Sequence, residues 1–160
     1  MRFLFLSLLL ALMACSGERP QLQQGSLPPS FSAETLDGRT VQVPDGVKGQ
    51  VVVIRFWADW CPFCYEEMRD IEQVYRDLKG QGLTILAVNV GQDRDTAKRF
   101  VERTGISYTA LLDPDSVTAR AYGVIGLPTS FFIDRQGRIH SKILGESNAA
   151  MFRRGVEPLL

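Results

Sequence analysis

The stretch Val51-Val52-Val53-Ile54-Arg55-Phe56-Trp57-Ala58-Asp59-Trp60-Cys61-Pro62-Phe63-Cys64-Tyr65-Glu66-Glu67-Met68 changes character twice along its length. Apart from Arg55, its first seven residues are β-branched or aromatic, the composition of a buried strand, whereas from Glu66 onward the residues follow a helical period. Cys61 and Cys64 lie between the two. Pro62 suits the first turn of a helix, where its missing N–H has no intrahelical partner to lose, so Cys61 is expected at or just before the helix start. Free N–H groups and the positive end of the helix dipole stabilise a thiolate over a thiol, which marks Cys61 as the attacking, solvent-facing sulfur. Cys64, one turn on, faces the same way and can close a disulfide. Such a pair passes two electrons to or from another protein's disulfide through a mixed disulfide.

Other uses of two cysteines fit less well. A structural zinc site takes about four ligands, and the chain adds only Cys15 and His140, both distant in sequence. Covalent haem attachment needs a histidine directly after the second cysteine, where Tyr65 stands. A purely structural disulfide closing so short a loop constrains the unfolded chain little. The reading therefore assigns no metal and no cofactor.

With 160 residues, 45% of them hydrophobic, the chain makes one domain with a core of its own. Eighteen Lys and Arg balance eighteen Asp and Glu, leaving no basic stripe to neutralise phosphates, which argues against nucleic acid as a partner. Residues 1–14 read as an export signal. Arg2 opens it, and the apolar run from Phe3 to Met13, broken only by Ser7, is too short to span a bilayer. Leu12 is too bulky for an ordinary cleavage site after Ala14. Leu12-Met13-Ala14-Cys15 instead resembles the bacterial lipoprotein box, in which the cysteine takes a lipid and becomes the mature N-terminus; simple secretion is the alternative. Residues 15–27, rich in Gly, Pro, Gln and Ser, read as a flexible tether. Residues 28–160 form the domain.

Within the domain, Asp37-Gly38 between residues 31–35 and 39–43 is a hairpin signal. Met68, Ile71, Val74, Tyr75 and Leu78 form a helical stripe ended by Gly80 and Gly82. A strand is expected at 83–90, a helix at 93–104, a short helix at 117–122, strands at 129–133 and 138–144 around the turn 134–137, and a last helix capped by Ser147. Arg94, Lys98, Arg99 and Arg103 read as a solvated basic face.

The segment Phe56 to Cys64, with Pro29-Ser30-Phe31, Glu67 and Gly126-Leu127-Pro128-Thr129, resembles the thioredoxin-like superfamily. Over about residues 28–146 it is similar to bacterial membrane-anchored thiol-disulfide oxidoreductases of the TlpA and ResA type. The resemblance implies an α/β thioredoxin-like fold, a central mixed β-sheet flanked by helices, with an N-terminal β-hairpin extension. Sequence physics alone predicts a trans Leu127–Pro128 bond, whereas the family implies cis. The family also implies that Trp60, Pro62, Leu127 and Pro128 face a client peptide, with Leu127 offering backbone groups to it as to an added strand. Glu67 matches a carboxylate near the buried second thiol, where it can assist proton transfer; the alternative is a first-turn glutamate stabilised by the helix dipole. Arg55 and Arg69 depart from the family. An arginine on a central strand must be paired or reach solvent, and Glu67 is its expected partner. Arg69 replaces a common proline, so a helix kink is not expected.

The resemblance further implies a monomeric, lipid-anchored reductant of client protein disulfides on the extracytoplasmic side of the bacterial cell envelope. Cys61 attacks the client, Cys64 resolves the mixed disulfide, and a membrane thiol-disulfide electron donor restores the dithiol; apocytochrome c or its maturation factors are implied as clients. Two rivals remain. A thiol peroxidase wants a threonine where Ala58 stands, and a redox-inert binding module has no use for two intact cysteines.

Overall fold

The computed structural model describes residues 22–160. The expected export signal, Cys15 and most of the tether lie outside them. Eleven regular elements follow in order: strands β1 (Phe31–Glu34), β2 (Thr40–Val43) and β3 (Val51–Trp57), helix α1 (Cys64–Leu78), strand β4 (Leu83–Val90), helix α2 (Arg94–Thr104), strand β5 (Thr109–Asp113), helix α3 (Val117–Ala121), strands β6 (Thr129–Ile133) and β7 (Ile139–Leu144), and helix α4 (Ala149–Val156). The strand order of the main sheet is β5-β4-β3-β6-β7, with β1 and β2 in a separate two-stranded antiparallel sheet. β3 runs parallel to β4 and antiparallel to β6, so the sheet is mixed, as expected.

β3 is buried along its whole length, which its seven-residue composition requires at the centre of a sheet. Alternation divides its side chains between two cores. Val51, Val53 and Trp57 pack with both cysteines, Met68, Ile71, Phe100, Phe132 and Phe152. Val52, Ile54 and Phe56 pack on the other face with Leu86, Val88, Leu111, Tyr122 and Phe131. Burying each of the larger apolar side chains contributes about 1.5–3 kcal/mol. α4 closes over the first core at short range: a Cβ on Gly155 would stand 2.7 Å from the Phe132 ring.

Three differences from the sequence reading have physical causes. β5 is absent from that reading; Thr-Ala-Leu-Leu-Asp carries little β-branched character, and its strand form comes from parallel pairing with β4, Leu86 through Val90 against Thr109 through Asp113. Ser147 does not cap α4. Asn148 does, its side chain accepting from the Met151 N–H at 2.9 Å, while the Ser147 N–H is turned inward. Arg94 does not stay on a solvated basic face: it donates to the Thr35 and Leu36 carbonyls at 2.7 and 2.8 Å and pairs with Glu34 at 2.5 Å, fastening the hairpin to α2. Lys98, Arg99 and Arg103 are exposed. The expected hairpin forms, with Gly38 at φ +85°, a conformation that only glycine takes without strain.

Candidate redox site

Cys61 and Cys64 are joined in a disulfide, their Cα atoms 5.4 Å apart, at the end of β3 and the start of α1. The helix begins later than Pro62 predicts. Pro62 and Phe63 form a turn, the Cys64 N–H bonds back to the Cys61 carbonyl at 3.2 Å, and α1 starts at Cys64 with Phe63 as its cap residue. Cys61 therefore stands one turn ahead of the helix. Its own N–H donates to the Ala58 carbonyl at 3.3 Å. The expected difference in burial is narrow, for Cys61 keeps 3% of its surface and Cys64 none. Around this nearly covered disulfide the protein is open: Trp60 is 67% exposed, Phe63 46%, and Pro62 is also exposed.

The loop from Val124 to Pro128 leads into β6, which pairs with β3, the strand that ends before Cys61. Leu127–Pro128 is a cis peptide, as the resemblance implies, and Val43–Pro44 is a second one that the sequence reading does not anticipate. Leu127 is partly buried against both cores, while Pro128 is buried. The Thr129 hydroxyl donates to the Gly126 carbonyl at 2.7 Å, and the Gly145 N–H donates to the Pro128 carbonyl at 2.8 Å, so the loop is held by its neighbours on both sides. Ile125 (66%) and Leu144 (53%) are exposed apolar side chains that the sequence reading misses. Strand alternation along 139–144 carries some signal for Leu144, but nothing local says that β7 ends beside this loop.

On α1 one turn after Cys64, Glu67 meets Arg55 of β3. Arg55 is 1% exposed and Glu67 4%. An Arg55 Nη2 to Glu67 Oε2 contact of 2.5 Å joins them, and Arg55 Nη1 donates to Ser130 Oγ at 3.0 Å. The other carboxylate oxygen, Oε1, accepts from the Ser147 N–H. Tyr108 lies close by, its hydroxyl donating to the Met68 carbonyl at 3.1 Å. Burial raises its pKa far above the ordinary phenol value, against an opposing pull from Arg55, so it stays neutral through the physiological range. Arg69 points outward, 5.8 Å from the centre of the Tyr65 ring, and α1 runs unbroken past it. Among the described residues no group of three His, Cys, Asp or Glu could hold a metal ion, and no helix is long and apolar enough to cross a membrane.

A mixed five-stranded sheet with helices against it, an N-terminal antiparallel pair, a disulfide between strand and helix, and a cis proline in a neighbouring loop define a thioredoxin-like thiol-disulfide oxidoreductase. The chain belongs to the AhpC/TSA family, whose model matches residues 25–142. It is 33% identical to the thiol-disulfide oxidoreductase ResA of Geobacillus thermodenitrificans over 99% of this chain and 94% of the relative. It is 32% identical to ResA of Bacillus subtilis over 83% of this chain and 74% of the relative. A solved thiol:disulfide interchange protein of the thioredoxin family from Chlorobium tepidum superposes with a TM-score of 0.76 at 30% identity, over 86% of this chain and 97% of that one.

Proposed function

We propose that this oxidoreductase works as a reductant of client protein disulfides on the extracytoplasmic side of a bacterial membrane, held there by a lipid on Cys15. The observation that supports the catalytic part is the Cys61–Cys64 disulfide at the start of α1, flanked in the chain by the exposed Trp60 and Phe63, in a fold that also carries the cis Leu127–Pro128 bond. In the reducing direction the Cys61 thiolate attacks one client sulfur, forming a mixed disulfide and releasing the other client sulfur as a thiolate, which takes a proton from water. The Cys64 thiolate then attacks Cys61, expelling the second client thiol and leaving the disulfide. A membrane thiol-disulfide donor returns two electrons and two protons. Trp60, Pro62, Leu127 and Pro128 face the client, an extended peptide that pairs with the Leu127 backbone. Glu67, one turn beyond Cys64, is the buried acid–base group beside the resolving thiol. Proteins of cytochrome c maturation are clients that fit the resemblance.

Insulin reduction with a thiol donor tests the activity, and the reduction potential of the pair tests the direction, a potential near that of thioredoxin (about −270 mV) supporting the reductant and one near DsbA (about −120 mV) sinking it. Cys64→Ser is expected to accumulate mixed disulfides through Cys61; trapping that needs Cys64 instead reverses the roles. Cys15→Ser is expected to release the protein from the membrane or block processing, and unmodified mature protein free in the extracytoplasmic fluid argues for simple secretion.

A further inference from the structure

Among the described residues, Arg55–Glu67 is the only ion pair with both partners buried. It sits where three pieces of the redox site meet. Glu67 stands one turn after Cys64 on α1, Arg55 lies on β3 on the side of the sheet that carries Trp57 and the cysteines, and Ser130, the second partner of Arg55, is two residues after Pro128 on β6. Ser147, at the approach to α4, holds the carboxylate from the far side.

We propose that Arg55 is a positioning residue for the redox pair: with the Ser147 N–H it clamps the Glu67 carboxylate, so that the cysteines face an ion-pair dipole instead of a bare buried charge. The proposal rests on the thiol-disulfide reading above. Both carboxylate oxygens are already occupied, one by the guanidinium and one by a backbone N–H, which fixes the orientation of Glu67 to within hydrogen-bond geometry. Stability does not explain the arrangement, because a buried ion pair is commonly no better than well-packed apolar residues of the same volume, whereas losing one partner is costly. Electrostatics does. A thiolate forming at the cysteines is repelled by a lone carboxylate and attracted by a lone guanidinium, and the pair cancels most of both.

That cancellation makes a prediction with opposite signs. In reduced full-chain protein, iodoacetamide alkylation of Cys61 is followed at pH 7, with Tyr108, a buried phenol that feels both charges of the pair, neutral throughout. Arg55→Met is expected to slow alkylation about tenfold, Glu67→Gln to speed it about tenfold, and the double variant to return within about twofold of the parent. Arg55→Lys, which keeps the cation, should stay within about threefold. A structural role moves both single variants the same way or neither, and either result overturns the proposal. If Arg55→Met does not fold, Glu67→Gln keeps an oxygen for the Ser147 N–H, and an unchanged rate in that variant is sufficient to reject the assignment. Insulin reduction by the parent separates the two levels: a parent without activity fails the thiol-disulfide reading itself, whereas an active parent with single variants of the same sign fails only Arg55.

Discussion

Glu67 and Glu72 lie on the same helix and are buried to nearly the same degree, 4% and 5% exposed, and each has an arginine partner. The difference lies in the arginine. Arg55 is sealed inside the sheet, whereas the Arg76 side chain is 58% exposed and reaches Glu72 from the water side at 2.6 Å. Glu72 spends its remaining capacity on the loop before β5, accepting from the Ser107 N–H and hydroxyl at 2.7 Å each. It works as a staple between α1 and that loop, with a cation at the solvent edge. Glu67, one turn after Cys64, is held by a buried cation and a backbone N–H. Burial of the glutamate therefore does not separate the two; burial of its counter-ion does.

The largest expected effect follows from that contrast. Arg55→Met leaves a carboxylate buried without its cation and is expected to lower the unfolding free energy by about 3–5 kcal/mol, while Arg76→Met should stay within about 1 kcal/mol because water already solvates that arginine. Denaturant unfolding of the oxidised protein compares the two, and equal losses would erase the distinction. Next comes Glu72→Ala, which strands the Ser107 N–H and is expected to cost about 1–3 kcal/mol. Its insulin-reduction rate and its Cys61 alkylation should stay within about twofold of the parent. A redox change there would mean that both glutamates tune the thiols.

One side of this contrast is legible in the amino-acid sequence and the other is not. Period-two alternation puts Arg55 on the side of Trp57, and the rule that a buried cation finds a carboxylate points to Glu67, so the chemistry of one strand and one helix is enough to pair them. Glu72 lies inside the polar gaps of a helical stripe, and only the placement of Ser107 against it separates it from a solvated glutamate. The cis bond at Pro128 is likewise beyond local physics, which favours trans; the family resemblance alone supplies it. The remaining hidden features share one cause. β5, the inward N–H of Ser147, and the position of Leu144 beside the cis-proline loop are each decided by segments far away in sequence. Even the start of α1 is ambiguous, because Pro62 is as well accommodated in a turn as in a first helical turn.

The smallest effect tests the outer end of the same contact between α1 and α4. Asp77 on α1 accepts from Arg153 of α4 at 2.5 Å and from the Gln73 side chain at 2.9 Å, at a point where both members of the pair remain partly in water. The hydrogen bond from Arg153, and then that from Gln73, hold the Asp77 carboxyl below its ordinary value. A carboxyl whose folded value lies below its unfolded value contributes stability above the unfolded value and loses it as pH falls through the folded one. Asp77→Asn should therefore lower Tm slightly at pH 7, by less than Glu72→Ala does, and the gap from the parent should close as the pH is taken down through the acid range. Thermal unfolding of both proteins from about pH 7 to about pH 2.5 spans the window in which such a carboxyl titrates and gives the comparison. A gap that persists at the acid end would show that the loss comes from the side chain's neutral hydrogen bonds and not from the charge.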